Sequence, residues 1–96
     1  MAGTSPLVCS GFIESDTFRQ SKELLKQLLE LTDRDIDDRL EGLIWALQRD
    51  SALLAERIPN RNLWVAVTDH PRLRIYLRPR ADVADECELL WIEEAD

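Results

Sequence analysis

Apolar residues return every three or four positions along the first half of the chain and every two positions after Asn60. That change of period predicts a helical part followed by a sheet part. Residues 6–13, PLVCSGFI, precede both; apolar with one glycine, they predict a short first strand carrying Leu7 and Cys9 and bending at Gly11. Phe18, Leu24, Leu25, Leu28 and Leu29 then fall at helical spacing, with Lys22, Glu23, Lys26 and Glu30 outside. Thr17, with Gln20 three residues on, is the pair expected to satisfy the free amides at the start of this helix.

A second start, Thr32 with Asp35, follows at once. Ile36, Leu40, Leu43, Ile44 and Leu47 make one apolar stripe, opposite Asp33, Arg34, Asp37, Asp38, Glu41 and Gln48. Acids gathered in the first turns favour the positive end of the helix. Two amphipathic helices with almost no linker predict an antiparallel helical hairpin. Asp50 is placed to cap one more short turn through SALLAER, closed at Pro59-Asn60.

NLWVAVT at 62–68, RLRIYLRPR at 72–80 and CELLWIE at 87–93 then read as strands, separated by turn chemistry at Asp69-His70-Pro71 and a loop through ADVADE. The predicted order is strand, helix, helix, strand, strand, strand: an α+β domain spanning 1–96, with the helical hairpin packed on one face of an antiparallel sheet. Ninety-six residues suit one core.

Pairing the last two strands as a hairpin sets Arg80 by Glu86, Arg78 by Glu88, Tyr76 by Leu90, Arg74 by Ile92 and Arg72 by Glu94. The apolar face then joins Leu77 to Leu89 and Ile75 to Trp91. A slip of one residue would set arginines against Cys87, Leu89 and Trp91, which the alternation opposes.

Charge adds a puzzle to this picture. The net charge is −7, yet six arginines and one acid, Asp69, lie between Arg57 and Arg80, and seven acids with no base follow Ala81. The acidic whole opposes non-specific nucleic-acid binding, while the basic block remains able to attract an acidic partner. In the predicted register three arginines serve as cross-strand partners of the acidic last strand. Arg74 is left over, with Tyr76 beside it, Arg78 further along and Arg61 ahead of the neighbouring strand. Arg61, Arg74, Tyr76 and Arg78 are therefore the candidate positions for an external anion or an acidic helix.

The remaining chemistry is sparse. Cys9 and Cys87 lie far apart in sequence among apolar neighbours; a disulfide is open to them, but two buried reduced thiols in a cytoplasmic protein is the reading favoured by composition. No metal-type Cys/His spacing is present, His70 is the single histidine, and no cofactor is implied. The longest uncharged run, Met1 to Ile13, falls short of the ~20 residues of a membrane span. His70, before a proline, reads as a turn residue. Trp45 sits off the main helical stripe and marks a second contact face, while Trp91 reads as core.

The element order and strand wording resemble the RelE/ParE superfamily of small bacterial toxins from type II toxin–antitoxin pairs. The likeness rests on a proline-containing approach to the second strand, IPNRNLWVAV, an arginine-centred third strand, LRIYLR, and an apolar closing strand, LLWIEE, and runs from about Leu7 to Glu94. By this resemblance Arg74 matches the arginine common in the family's third strand. Ribonuclease members usually end their second strand with a basic residue, where this chain has Val67, and finish with a basic or tyrosine-containing segment, where this chain has Glu93-Glu94-Ala95-Asp96. Cleavage through the ribose hydroxyl needs a proton acceptor, a proton donor and cations for the phosphate. Arg74 and Arg78 offer the cations, but the acidic ending would repel the substrate. The resemblance thus implies a cytoplasmic toxin-like protein acting through protein–protein binding, partnered by an antitoxin-like protein or by its own copies, with ribonuclease activity absent. The alternative is a non-toxic interaction or oligomerisation module of the same fold.

Overall fold

A computed structural model describes residue 7, residues 9–68 and residues 72–95, with 50–54 described as backbone alone. The elements are β1 (Gly11–Glu14), α1 (Asp16–Leu29), α2 (Asp33–Leu54), β2 (Ala55–Arg57), β3 (Trp64–Val67), β4 (Leu73–Pro79) and β5 (Glu86–Glu94). They form a two-layer α+β structure, both helices lying against one sheet of order β1-β5-β4-β3-β2. No helix among the described residues is long and apolar enough to cross a membrane. The turn expected at Asp69-His70-Pro71 lies outside the described residues.

The predicted class and helix-then-sheet order hold, and several details differ. The sheet is mixed, because β1 pairs parallel with β5, Gly11 opposite Glu86 through Glu14 opposite Leu89. This first strand also begins later than expected, after the buried Leu7 and Cys9. Helix α2 continues past Asp50 to Leu54 and gives way at once to β2, where a separately capped turn was expected. The added strand pairs with β3 through two small residues, Ala55 opposite Ala66, both buried. Pro59-Asn60 does mark the following turn, with Asn60 in the left-handed conformation at φ 64°, which asparagine tolerates better than most residues.

Local chemistry explains where the helices start. Ser15, and not Thr17, caps α1: its hydroxyl accepts the Phe18 amide at 3.0 Å. For α2 the expected pair is present, with the Thr32 amide bonded to Asp35 Oδ2 at 3.1 Å and the Asp35 amide to Thr32 Oγ1 at 3.1 Å. The Thr32 amide, and after it the Thr32 hydroxyl, which donates to Asp35 Oδ2 at 2.8 Å, hold the Asp35 carboxyl below its usual pKa, since both bonds stabilise the ionised form. Between the helices Glu30 takes a left-handed turn at φ 55°, and the Leu31 amide donates back to the Lys26 carbonyl at 2.9 Å.

The core lies between helices and sheet. Phe18 and Leu25 enter from α1, Ile36, Leu40 and Leu47 from α2, and Ile75, Leu77, Leu89 and Ile92 from the central strands. Leu43 and Ile44 pack at its margin, so the α2 stripe is as predicted. On α1 the inward face is Phe18, Ser21 and Leu25; Leu24 and Leu28, expected in the stripe, are 60% and 70% exposed. Cys9 and Cys87, read from composition as reduced thiols, are joined as a disulfide with Cα atoms 5.5 Å apart. The pairing ties the segment before β1 to β5, next to the parallel ladder that the two strands share.

Candidate functional site

Strand β4 sends Leu73, Ile75 and Leu77 into the core. By alternation, Arg74, Tyr76 and Arg78 stand on the opposite, helix-free face of the sheet. There they meet the acidic strand β5. Arg78 lies directly opposite Glu88, and its Nε and Nη2 reach Glu88 Oε1 at 3.1 and 3.0 Å. Arg80 forms a two-pronged pair with Asp82, at 3.1 and 2.9 Å, and bonds Glu86 as well. Hydrogen bonds to Glu86 and then Asp82 raise the Arg80 pKa further, and the same bond to Arg80 lowers that of Asp82.

Arg74 is the point at which geometry departs from the predicted register. Pairing follows the expected alignment from Pro79–Cys87 to Leu77–Leu89, then shifts between Tyr76 and Leu77. One extra β5 residue, Leu90, is accommodated there as a bulge. Beyond it Tyr76 faces Trp91, Ile75 faces Ile92 and Arg74 faces Glu93. The leftover arginine therefore has a partner, Nη1 to Glu93 Oε2 at 3.5 Å. Glu93 also accepts from the Tyr76 hydroxyl at 3.2 Å and from the Trp91 indole N–H at 3.2 Å. Trp91, expected in the core opposite Ile75, stands on the open side, and Ile92 takes the buried place.

The four candidate positions do not converge. Arg74 and Tyr76 share Glu93, whereas Arg78 sits with Glu88 about 13 Å further along the strand, four residues at the rise of an extended chain. Arg61 lies in the turn between β2 and β3, held by its backbone: its amide donates to the Ile58 carbonyl at 3.2 Å and its carbonyl accepts from Arg57 Nε at 3.1 Å. Among the described residues the side chains of Arg61 and Arg72 form no ion pair. A concavity of about 470 Å³ is lined by Ile13, Asn62, Arg78, Arg80, Asp82 and Glu88, mixing both charges. A larger one of about 540 Å³ lies away from this strip, along α2 at Asp35, Arg39 and Leu43. No group of three or more metal-ligating side chains occurs among the described residues.

No family model matches the chain, and no curated protein matches it. A solved structure does: a chain of the toxin–antitoxin complex RelBE2 from Mycobacterium tuberculosis superposes over 92% of this chain and 100% of its own length, with a TM-score of 0.65 and 14% identity. The two chains share a fold.

On this fold the helix-free sheet face carries arginines that are offset by carboxylates of the same molecule. A cation stabilises charge on a phosphate to the extent that its own charge is not already neutralised, so Arg74, Arg78 and Arg80 are poorly placed for such work. Between the ion pairs lie apolar side chains: Val65 opposite Tyr76, Val67 opposite Arg74, and Trp91. Val67 is 45% exposed. A surface of neutralised charge and apolar side chains suits contact with protein better than contact with a polyanion. Glu93, the residue that organises Arg74, Tyr76 and Trp91, was missed as a site residue in the sequence reading. Its signal was available in the acidic ending, but its position opposite Arg74 depends on the bulge.

Proposed function

We propose that this chain is a toxin-like component of a two-gene toxin–antitoxin pair, acting through protein–protein binding and without cleaving RNA. The observation carrying the proposal is a RelE-like fold whose arginine strand is neutralised by its own last strand through Glu88 and Glu93. Arg61, Arg74, Tyr76 and Arg78 contribute to the partner-facing surface, Arg61 as a cation without an ion pair among the described residues and the others as members of a fixed polar lattice. An antitoxin-like protein is the partner this reading requires.

Controlled expression of the chain alone tests it. Growth arrest that is relieved by co-expressing the product of an adjacent short gene is the expected result, with no new mRNA 5′ ends when purified protein is incubated with translating ribosomes. Normal growth with no such neighbour would remove the toxin reading. New mRNA ends that disappear in Arg74→Ala would replace protein binding by ribonuclease action. The exposed leucines of α1 favour a second reading, a non-toxic interaction module of the same fold, which predicts partner binding with normal growth.

A further inference from the structure

Three large exposed apolar side chains gather at one place. Leu24 and Leu28, one turn apart on α1 and 60% and 70% exposed, and Trp91 of β5, 36% exposed, line a shallow groove with Ser21, Leu25 and Ile92 as neighbours. Its volume, about 140 Å³, is below the ~300 Å³ of small-ligand pockets, so it suits a few side chains of a larger partner. Its remaining border is Glu93 and Glu94, in a C-terminal stretch that holds seven acids and no base after Ala81.

Resting on the protein-binding reading above, we propose that this groove receives an amphipathic helix of a partner protein, carrying apolar residues at i and i+4 with lysine or arginine beside them. The edge of β5 indicates a helix more than an added strand. Strand addition requires free backbone groups along the edge, and beyond the end of β1 the Ile92 amide is already bonded to Ser21 Oγ at 3.0 Å. Glu93 is already paired with Arg74, so the exposed Glu94, with no ion pair among the described residues, selects the charge of the occupant. It also disfavours a second copy of this chain, because a two-fold contact through the groove would bring Glu93 and Glu94 of both copies together, with −7 on each molecule.

A library of displayed amphipathic helices, varied in charge and in apolar spacing and selected against the full chain, tests the proposal. Selected helices should pair apolar residues at i and i+4 with basic flanks. The best synthetic peptide should bind Leu28→Ser at least about tenfold more weakly, and Glu94→Lys should turn the selection toward acidic flanks. Both positions are exposed, so the thermal midpoints of the variants should match the parent and report intact folding. No enrichment, enrichment of acidic helices by the parent protein, or equal binding by Leu28→Ser would overturn the proposal. So would a parent dimer in sedimentation that Leu28→Ser dissociates, which would make a second copy the occupant. Growth arrest is read separately: arrest with no helix selected refutes the groove alone, and helix selection with normal growth refutes the toxin role alone.

Discussion

Ser21 of α1 accepts the backbone N–H of Ile92 in β5 at 3.0 Å while its own hydroxyl donates to the Phe18 carbonyl at 2.8 Å. It is the one fully buried polar side chain among the described residues, and it closes the open edge of β5 just where β1 has ended. Ser21→Ala would leave the Ile92 amide buried without an acceptor, at a cost of about 1–3 kcal/mol. Urea unfolding should show a lower midpoint with an unchanged slope. A variant as stable as the parent would mean that water reaches the amide and that the edge is open.

The charge strip makes the opposite forecast for stability. Arg74–Glu93 and Arg78–Glu88 are partly exposed, and such pairs are worth about 0.2–1 kcal/mol. Replacing Glu88 and Glu93 together by glutamine should therefore change the unfolding free energy little. It should, however, release two arginines on a face with no helix over it. Elution from a heparin column is expected to move to higher salt, and Arg74→Ala in the same background should reverse most of the shift. Unchanged elution would show that the carboxylates do not mask the strip.

Much of this face was legible from alternation, because residues 72–80 can bury Leu73, Ile75 and Leu77 on one side in no other way. The Arg78–Glu88 and Arg80–Glu86 neighbours follow from that register. What alternation does not contain is the bulge at Leu90. With Leu89, Leu90, Trp91 and Ile92 all apolar, either Trp91 or Ile92 can fill the core, and Ile92 takes the place opposite Ile75. That single choice moves Arg74 from an unpaired position to Glu93. The parallel β1–β5 pairing was illegible for a related reason: four residues fix a strand but not its neighbour. The α1 stripe was misread because Leu24 and Leu28 share helical spacing with Leu25, and period alone does not say which edge of a wide apolar face is covered.

The reciprocal pair at Thr32 and Asp35 carries a pH dependence. The folded-state pKa of Asp35 lies below its ordinary 3.8, first through the bond from the Thr32 amide and then through the Thr32 hydroxyl. A depressed carboxylate pKa stabilises the fold in full above the ordinary value, and the contribution fades as pH falls below it. Between pH 6 and about pH 2 the parent should lose stability more steeply than Asp35→Asn, which has no proton to take up there. At neutral pH Thr32→Ala should cost about 1 kcal/mol. Parallel stability–pH curves for parent and Asp35→Asn would contradict this account of the cap.

The Cys9–Cys87 disulfide makes the largest forecast. Closing a loop of 78 residues restricts the unfolded chain strongly, and removing such a link typically costs about 2–5 kcal/mol. Alkylation in denaturant without reductant should label no thiol, and two after reduction. Reduced protein and Cys87→Ser should both unfold at lower urea concentration than the oxidised parent. The loss should concentrate at the N-terminal strand, because Cys87 lies opposite Phe12 in the parallel β1–β5 ladder and the amides of Ser10 and Gly11 are held there by the Asp85 carbonyl. Hydrogen exchange should consequently accelerate at 10–14 on reduction, with the β4–β5 hairpin less affected. Two labelled thiols in protein purified without reductant would restore the reduced-thiol reading, and the parallel strand would then depend on its hydrogen bonds and on the packing of Leu7, Cys9 and Phe12.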